Sequence, residues 1–253
     1  MARSLRIVGP GRAGTSLARA LERAGWRVHG LLARDDDLRQ AAGGVDLLVI
    51  ATPDSAVADV AATVEPDPAT VVAHMAGSLG LDVLVPHERR AVLHPLVALP
   101  NADIGAERFA SGAWFGLADG GDPLADEVVT ALRGHALHIR DADRPRYHAA
   151  AVIASNHLVG LLGQADRVAA SVGVPLAAYL DLVRDTVDNV GTLGPAAALT
   201  GPVKRGDTAT VERHLAALPD DERAAYEAGV ELCRRLRGER DDRLRGERDE
   251  RLL

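Results

Sequence analysis

The sequence predicts an α/β fold: a mainly parallel sheet with helices on both faces, followed by an all-α C-terminal domain. Three observations lead there. A nearly continuous apolar run at 45–51 has the pattern of a strand buried on both faces, and 5–8, 70–75 and 91–93 read as further strands. Segments of helical periodicity or helix-starting character, at 13–24, from near Ser55 and at 123–133, fall between strands. Beyond Asp141 no strand pattern recurs, and helices rich in alanine and leucine run to the end.

The first strand, 5–8, leads into Gly9, Gly11 and Gly14 at G-x-G-x-x-G spacing, and then into a helix over 13–24. Leu17, Leu21 and Ala24 share one face of that helix and Gly25 stops it. Strand, glycine turn and helix in this order form the dinucleotide-binding fingerprint of a Rossmann-like fold. The turn has to be tight, Gly11 has to admit a pyrophosphate to the backbone, and Gly14 has to let helix and strand pack closely. At Arg12 and Ala13 the helix start offers free N–H groups to phosphate. A second strand over 26–33 ends at Arg34, where an NAD-binding fold usually carries an acid for the ribose hydroxyls. A guanidinium there suits a 2′-phosphate, so NADP (NADPH) is the expected cofactor, with Arg12 assisting. The acids at 35–37, one step later, supply the opposite reading.

The run at 45–51 ends in Thr52-Pro53-Asp54, the run at 70–75 is followed by Gly77-Ser78, and the run at 91–93 by His94-Pro95. Ligands of open parallel sheets gather outside the carboxyl ends of the strands. Thr52, Pro53, His74, Gly77, Ser78 and His94 therefore fall on the ligand side. Each histidine alone has a structural reading as a hydrogen-bonded core group; two at successive strand ends set a functional reading beside it. Strands at 112–118 and 136–139, flanking the helix at 123–133, are expected to extend the sheet to its edge, and the domain boundary is expected at 140–143.

The sequence thus divides into a dinucleotide-binding domain (1–142), a helical substrate and dimerisation domain (143–237) and a charged tail (238–253). The helical domain opens with a long helix over 144–171, closed by Gly173 and Pro175. Residues 149–162 are apolar almost all round, which predicts burial. Ser155, Asn156 and His157 interrupt that run, and Tyr147 and His148 precede them by about two turns. Buried polar groups need partners, drawn either from an internal network or from a ligand. A second helix spans 175–189, glycine- and proline-rich turns span 192–207, Asp207 or Thr208 caps a helix bearing Val211 and Leu215, and a last helix spans 220–237. Arg205 in the turns has both a surface reading and a reading as a carboxylate partner. The tail repeats RLRGERD at 235–241 and 243–249, which suits a frayed helix or disorder.

A formal net charge of −7 argues against a nucleic-acid surface. Cys233 is the single cysteine, which excludes an intramolecular disulfide and a cysteine-based zinc site; no close histidine pair supplies another metal site. The chain enters its first strand at once, so no signal peptide is expected. No apolar run reaches membrane-spanning length, no membrane partner is expected, and the expected location is cytoplasmic.

GPGRAGTSLARAL from Gly9, ATPDSAV from Ala51, HMAG from His74, LHPL from Leu93, YHAAAVIASNHLVGLL from Tyr147 and ALTGPVKRGDTATVERHL from Ala198 together resemble a bacterial family. Its members are described as Rossmann-like NADP-dependent oxidoreductases with a C-terminal helical domain of unknown function. More distantly the chain is similar to ketopantoate reductases, pyrroline-5-carboxylate reductases and 6-phosphogluconate dehydrogenases. The resemblance implies hydride transfer with NADPH, a helical domain that covers the nicotinamide, and a homodimer. Hydroxyacid dehydrogenase and ketopantoate reductase relatives draw their proton from a lysine early in the helical domain, with an asparagine nearby. Here the only lysine is Lys204, in the later turn segment. His148 or His94 is then the expected proton donor, and Asn156 the residue that orients substrate; a protonated imine would need no donor. The expected activity is NADPH-dependent reduction of a small anionic 2-oxo acid or related carbonyl, ketopantoate-like. Cyclic-imine reduction and an NADP(H)-binding sensor or scaffold without turnover are the alternatives.

Overall fold

The computed structural model describes residues 2–250, with side chains described for 2–238. By its contacts the chain divides into two compact units, Met1–Asn156 and His157–Leu253.

In the first unit β1 (Ser4–Val8), β2 (Arg27–Leu32), β3 (Leu47–Ile50), β4 (Val71–His74) and β5 (Arg90–Val92) make a parallel sheet in the order β2-β1-β3-β4-β5. The order reverses between β1 and β3, which opens a crevice at their carboxyl ends. The continuous apolar run of β3 follows from a sheet covered twice. Leu47 and Val49 pack with Leu17 and Leu21 of α1 (Arg12–Arg23), whereas Leu48 and Ile50 pack with Val57 and Ala61 of α2 (Val57–Thr63). Each such side chain removed from water contributes about 2 kcal/mol.

A helix absent from the sequence reading, α3 (Ala102–Ala110), places Ala106 and Phe109 in the same cluster as α1. Asn101 caps it, its Oδ1 accepting from the Ile104 N–H at 2.9 Å. Farther on, α4 (Leu124–Ala131) buries Leu124, Ala125, Val128 and Val129.

The expected extension of the parallel sheet by the strands at 112–118 and 136–139 is corrected. Those strands, β7 (Trp114–Ala118) and β8 (His135–Ile139), join β6 (His94–Pro95) in a separate three-stranded sheet ordered β6-β7-β8. The ladder of β5 on β4 ends where the Leu93 N–H donates to the His74 carbonyl at 2.9 Å. Pro95 has no N–H to continue it. His94 and Pro95 instead pair antiparallel with β7, and the Leu96 N–H donates to the Trp114 carbonyl at 2.8 Å.

The single helix expected over 144–171 occurs as α5 (Arg144–Val152), a π-helical stretch Ile153–His157, and α6 (Leu158–Ala170). The contacts divide the chain at that stretch, between Asn156 and His157, and not at 140–143. The physical reason is that α5 packs onto the first unit: Arg144 is fully buried, and the side chains of Tyr147 and His148 lie against Gly116 and Gly77.

The second unit continues with α7 (Leu180–Leu193), α8 (Pro195–Ala198), α9 (Gly201–Arg205), α10 (Thr208–Ala217) and α11 (Asp220–Glu250). The turns expected at 192–207 thus contain two short helices, each with a proline in its first turn. Asp207 caps α10, its carboxylate accepting from the Thr210 N–H at 3.0 Å. Glu222 ties α11 to α6, accepting from Arg167 Nη2 at 3.1 Å through its side chain and from Gln164 Nε2 at 2.9 Å through its carbonyl. Burial expected along 149–162 is also corrected, since residues 153–160 are all exposed. Among the described residues the unit buries only Ala169, Val211 and Val230 as apolar side chains, so its helices have no interior able to cover that face. The duplicated tail falls largely outside the description: the backbone of α11 is given to Glu250, but the side chains beyond 238 and residues 251–253 lie outside the described residues. No helix among the described residues is long and apolar enough to cross a membrane.

Candidate active site at the strand ends

The glycine turn closes β1 onto α1. Gly9 has φ +105°, and a Cβ there would stand 2.7 Å from the Ala51 carbonyl oxygen. A Cβ on Gly14 would stand 2.2 Å from the Gly9 oxygen and 3.0 Å from Ile7 Cγ2, so helix and strand approach as closely as the motif requires. Gly11 is exposed, with nothing within 4 Å of where its Cβ would be, which leaves the backbone open to a phosphate. It is the N-cap of α1, no side chain caps that end, and no acid lies in the first turn. The N–H groups at Arg12, Ala13 and Gly14 therefore face an approach free of competing carboxylates.

The Gly9 N–H donates to the Leu32 carbonyl at 2.9 Å, tying the turn to the end of β2. Arg34 follows two residues later, exposed and without a hydrogen bond or ion pair among the described residues. Two of the neighbouring acids shape their own loop: Asp36 accepts from the Ala33 N–H at 2.6 Å and Asp37 from the Arg39 N–H at 3.0 Å. Across the crevice Thr52 Oγ1 is buried without a partner, beside the exposed Pro53. An orphaned hydroxyl, an open glycine backbone and the guanidinium groups of Arg12 and Arg34, neither with a hydrogen bond or ion pair among the described residues, fit the ribose and phosphates of a dinucleotide.

At the end of β4, His74 is fully buried and both ring nitrogens are engaged. Nε2 lies 3.0 Å from the Gly80 carbonyl and Nδ1 accepts from the Ala76 N–H at 3.2 Å. Burial holds this imidazole below its ordinary pKa. His74, expected among the cofactor contacts, holds the loop that presents Gly77.

Next to that loop the structure assembles three rings. His94 pairs with Gly116 across the β6–β7 ladder, and the space where a Gly116 side chain would begin is taken by the Tyr147 hydroxyl, 2.3 Å from that Cβ position. His94 Nδ1 and Tyr147 Oη are hydrogen-bonded at 2.8 Å, with the rings edge-on at 85°. The ring of His148 also stands edge-on to His94, centroids 5.5 Å apart. Both histidines rest on Gly77, where a Cβ would lie 2.6 Å from His148 Cδ2 and 2.7 Å from His94 Nε2.

Burial first, then the charges of His148, Arg144 and His74, pushes His94 down to about 4, so it is a neutral imidazole at neutral pH. Tyr147 is raised by burial, while the Arg144 charge and the Gly116 backbone N–H act in the opposite direction. Arg144 itself is 0% exposed. Its Nε lies 3.3 Å from Asp141 Oδ1, Nη1 and Nη2 have no partner, and Asp141 Oδ2 accepts from the Leu81 N–H at 2.9 Å.

The structure therefore brings His94 and His148 together over Gly77. It does not bring Asn156 to them: that residue is exposed, its Oδ1 accepting from Ser155 Oγ at 2.9 Å. Tyr147 and Arg144 escaped the sequence reading as site residues. Gly116, inside the otherwise bulky strand WFGLA, is the signal that could have found Tyr147, because an interior strand glycine often marks a close approach. Among the described residues no group of three or more His, Cys, Asp or Glu side chains is placed to hold a metal ion.

Residues 116–232 match the model of a domain of unknown function, DUF2520. Among solved structures, a Bacteroides fragilis protein named as a candidate NADP oxidoreductase is 21% identical, with a TM-score of 0.79 over 92% of this chain and 98% of its own. A reductive aminase from Aspergillus terreus in complex with NADPH and ethyl levulinate is 16% identical, with a TM-score of 0.67 over 93% of this chain and 94% of its own. The pyrroline carboxylate reductase of Plasmodium falciparum with NADP bound is 12% identical, with a TM-score of 0.61 over 93% and 98%. These likenesses show a shared Rossmann-like fold with a C-terminal helical region. No curated protein matches the chain.

Proposed function

We propose that the chain is an NADPH-dependent oxidoreductase that reduces a small anionic 2-oxo acid or related carbonyl, ketopantoate-like, and that it acts as a homodimer. One observation carries this reading: the glycine turn open at Gly11 and the His94–Tyr147 hydrogen bond lie at carboxyl strand ends of one compact unit. Gly9, Gly11, Arg12, Ala13 and Gly14 would receive the pyrophosphate, Thr52 and Pro53 would border the ribose, and Arg34 with Arg12 would take the 2′-phosphate. The bound cofactor supplies a hydride. The chain's residues orient the substrate over Gly77, exclude water through the three rings, and control the proton. The buried charge of Arg144 raises the local potential, which favours an anionic substrate.

Cyclic-imine reduction is the second reading, favoured by the names of the Aspergillus and Plasmodium proteins. The discriminating experiment titrates the protein with NADPH and NADH by fluorescence, then follows NADPH oxidation with a panel of 2-oxo acids and cyclic imines. The carbonyl reading expects turnover on a 2-oxo acid; turnover on imines alone establishes the second reading. Tight NADPH binding without turnover on any panel member replaces both with a sensor or scaffold. Arg34→Ala is expected to weaken NADPH about tenfold while leaving NADH unchanged, the loss of roughly one charge-assisted contact. Equal affinity of the wild type for the two nucleotides overturns the assignment of Arg34.

A further inference from the structure

We propose that Tyr147 is the proton donor of this site, and that His94 and Arg144 are positioning residues which act through its hydroxyl. The inference rests on the reductase reading above and names the residue that completes it.

Geometry places the hydroxyl. Two glycines, Gly77 and Gly116, leave the space in which His94, His148 and Tyr147 meet, and Oη lies where no side chain but hydrogen at position 116 could coexist with it. His94 holds it through Nδ1 at 2.8 Å. Tyr147 and His148 are both partly exposed, whereas Arg144 is sealed off. With no solvent-accessible surface, the Arg144 guanidinium has no route to a substrate carboxylate. It contributes as a fixed positive charge that acts on both His94 and the Tyr147 phenol, offset in part by Asp141.

The proton balance follows. A bound NADPH would supply the carbonyl carbon with a hydride and its electron pair, leaving the carbonyl π pair on oxygen. Tyr147 Oη gives that oxygen its proton, so the phenol O–H breaks and the alcohol O–H forms. The phenolate left behind accepts a hydrogen bond from the His94 Nδ1–H and is stabilised by the Arg144 charge until water returns a proton. His94 suits the supporting role because its neutral ring keeps one N–H to donate; as a neutral ring it is not the acid of the pair. The charged or titratable groups acting on His94 are His148, Arg144 and His74, and Arg144 also acts on the phenol; Arg144, Asp54 and Asp141 act in turn on His74.

The test uses the full chain with NADPH, a 2-oxo acid and a preformed cyclic iminium, which needs no proton. Tyr147→Phe removes one oxygen atom and preserves the ring. It is expected to lower kcat on the 2-oxo acid at least about a hundredfold, the usual contribution of a general acid. That loss should exceed the loss on the iminium by at least about tenfold, with the NADPH Kd unchanged. The wild-type kcat on the 2-oxo acid should stay level from pH 6 to 9, because a phenol keeps its proton there, at about those pH values. His94→Asn, which retains an N–H donor, should keep more of the rate than His94→Leu. A Tyr147→Phe rate within a few-fold of wild type overturns the inference while leaving the reductase reading intact. So does a wild-type rate that falls through neutrality together with a His148→Ala loss as large as that of Tyr147→Phe, which transfers the role to His148. Absence of turnover by the wild type on every substrate overturns both readings together.

Discussion

His94 is neutral in the folded chain down to about pH 4 but takes up a proton near its ordinary 6.5 when unfolded. Between those values the unfolded chain binds more protons, so stability is complete above about 6.5 and is lost as the pH falls towards 4. The depression of this one group corresponds to about 3 kcal/mol at most. Urea unfolding at a series of pH values should show that slope in the wild type and a shallower one in His94→Asn. Gly77 presents a different vulnerability. A methyl group there meets the rings of His94 and His148 and not backbone, so Gly77→Ala should displace the rings and reduce turnover before it reduces stability, as melting temperature and kcat measured side by side will reveal.

Elements in this chain are decided by what their ends meet. Helix α3 is short, and its start depends on Asn101 capping the Ile104 N–H; Asn101→Ala should therefore cost about 1 kcal/mol of unfolding free energy, read from the shift of the urea midpoint at unchanged slope. Strand β7 runs parallel to β8 in the way its apolar pattern suggests, yet its partner on the other side is β6 and not β5. That pairing sets His94 opposite Gly116 and makes the phenol pocket. Gly116→Ala should expel the Tyr147 hydroxyl from its place and lower kcat by as much as Tyr147→Phe does, with cofactor affinity retained; an unchanged rate would remove the pocket from the mechanism. The run after Val152 reads as buried helix because nearly every residue is apolar, but periodicity reports only that a face is apolar and not which chain covers it.

Across the whole molecule, the two units differ in how they close. The first surrounds its sheet with apolar clusters on both faces. The second leaves large apolar side chains open to water, among them Val159 at 70%, Leu182 at 62% and Leu193 at 57% exposure. A second copy of the chain is the proposed cover. Sedimentation should give a dimer, and Leu182→Glu should shift it towards monomer; a monomeric wild type at all concentrations would reject the proposal.

Much of the first unit was legible in the residues. Gly9, Gly11 and Gly14 announced their turn because each answers a local steric demand, and the apolar run of β3 announced a strand because burial on both faces favours apolar side chains at successive positions. Such demands are satisfied within a few residues of one another, so they can be read along the chain. The partner of β7 and the meeting of His94 with Tyr147 are of another kind. They depend on groups brought together from 53 positions apart in the case of His94 and Tyr147, and a hydrogen bond across that separation leaves no periodic trace. Residue order settled the strands, the glycine turn and the helical second half; tertiary packing alone decided which ring faces which, because that choice is made by shape and burial after the elements have formed.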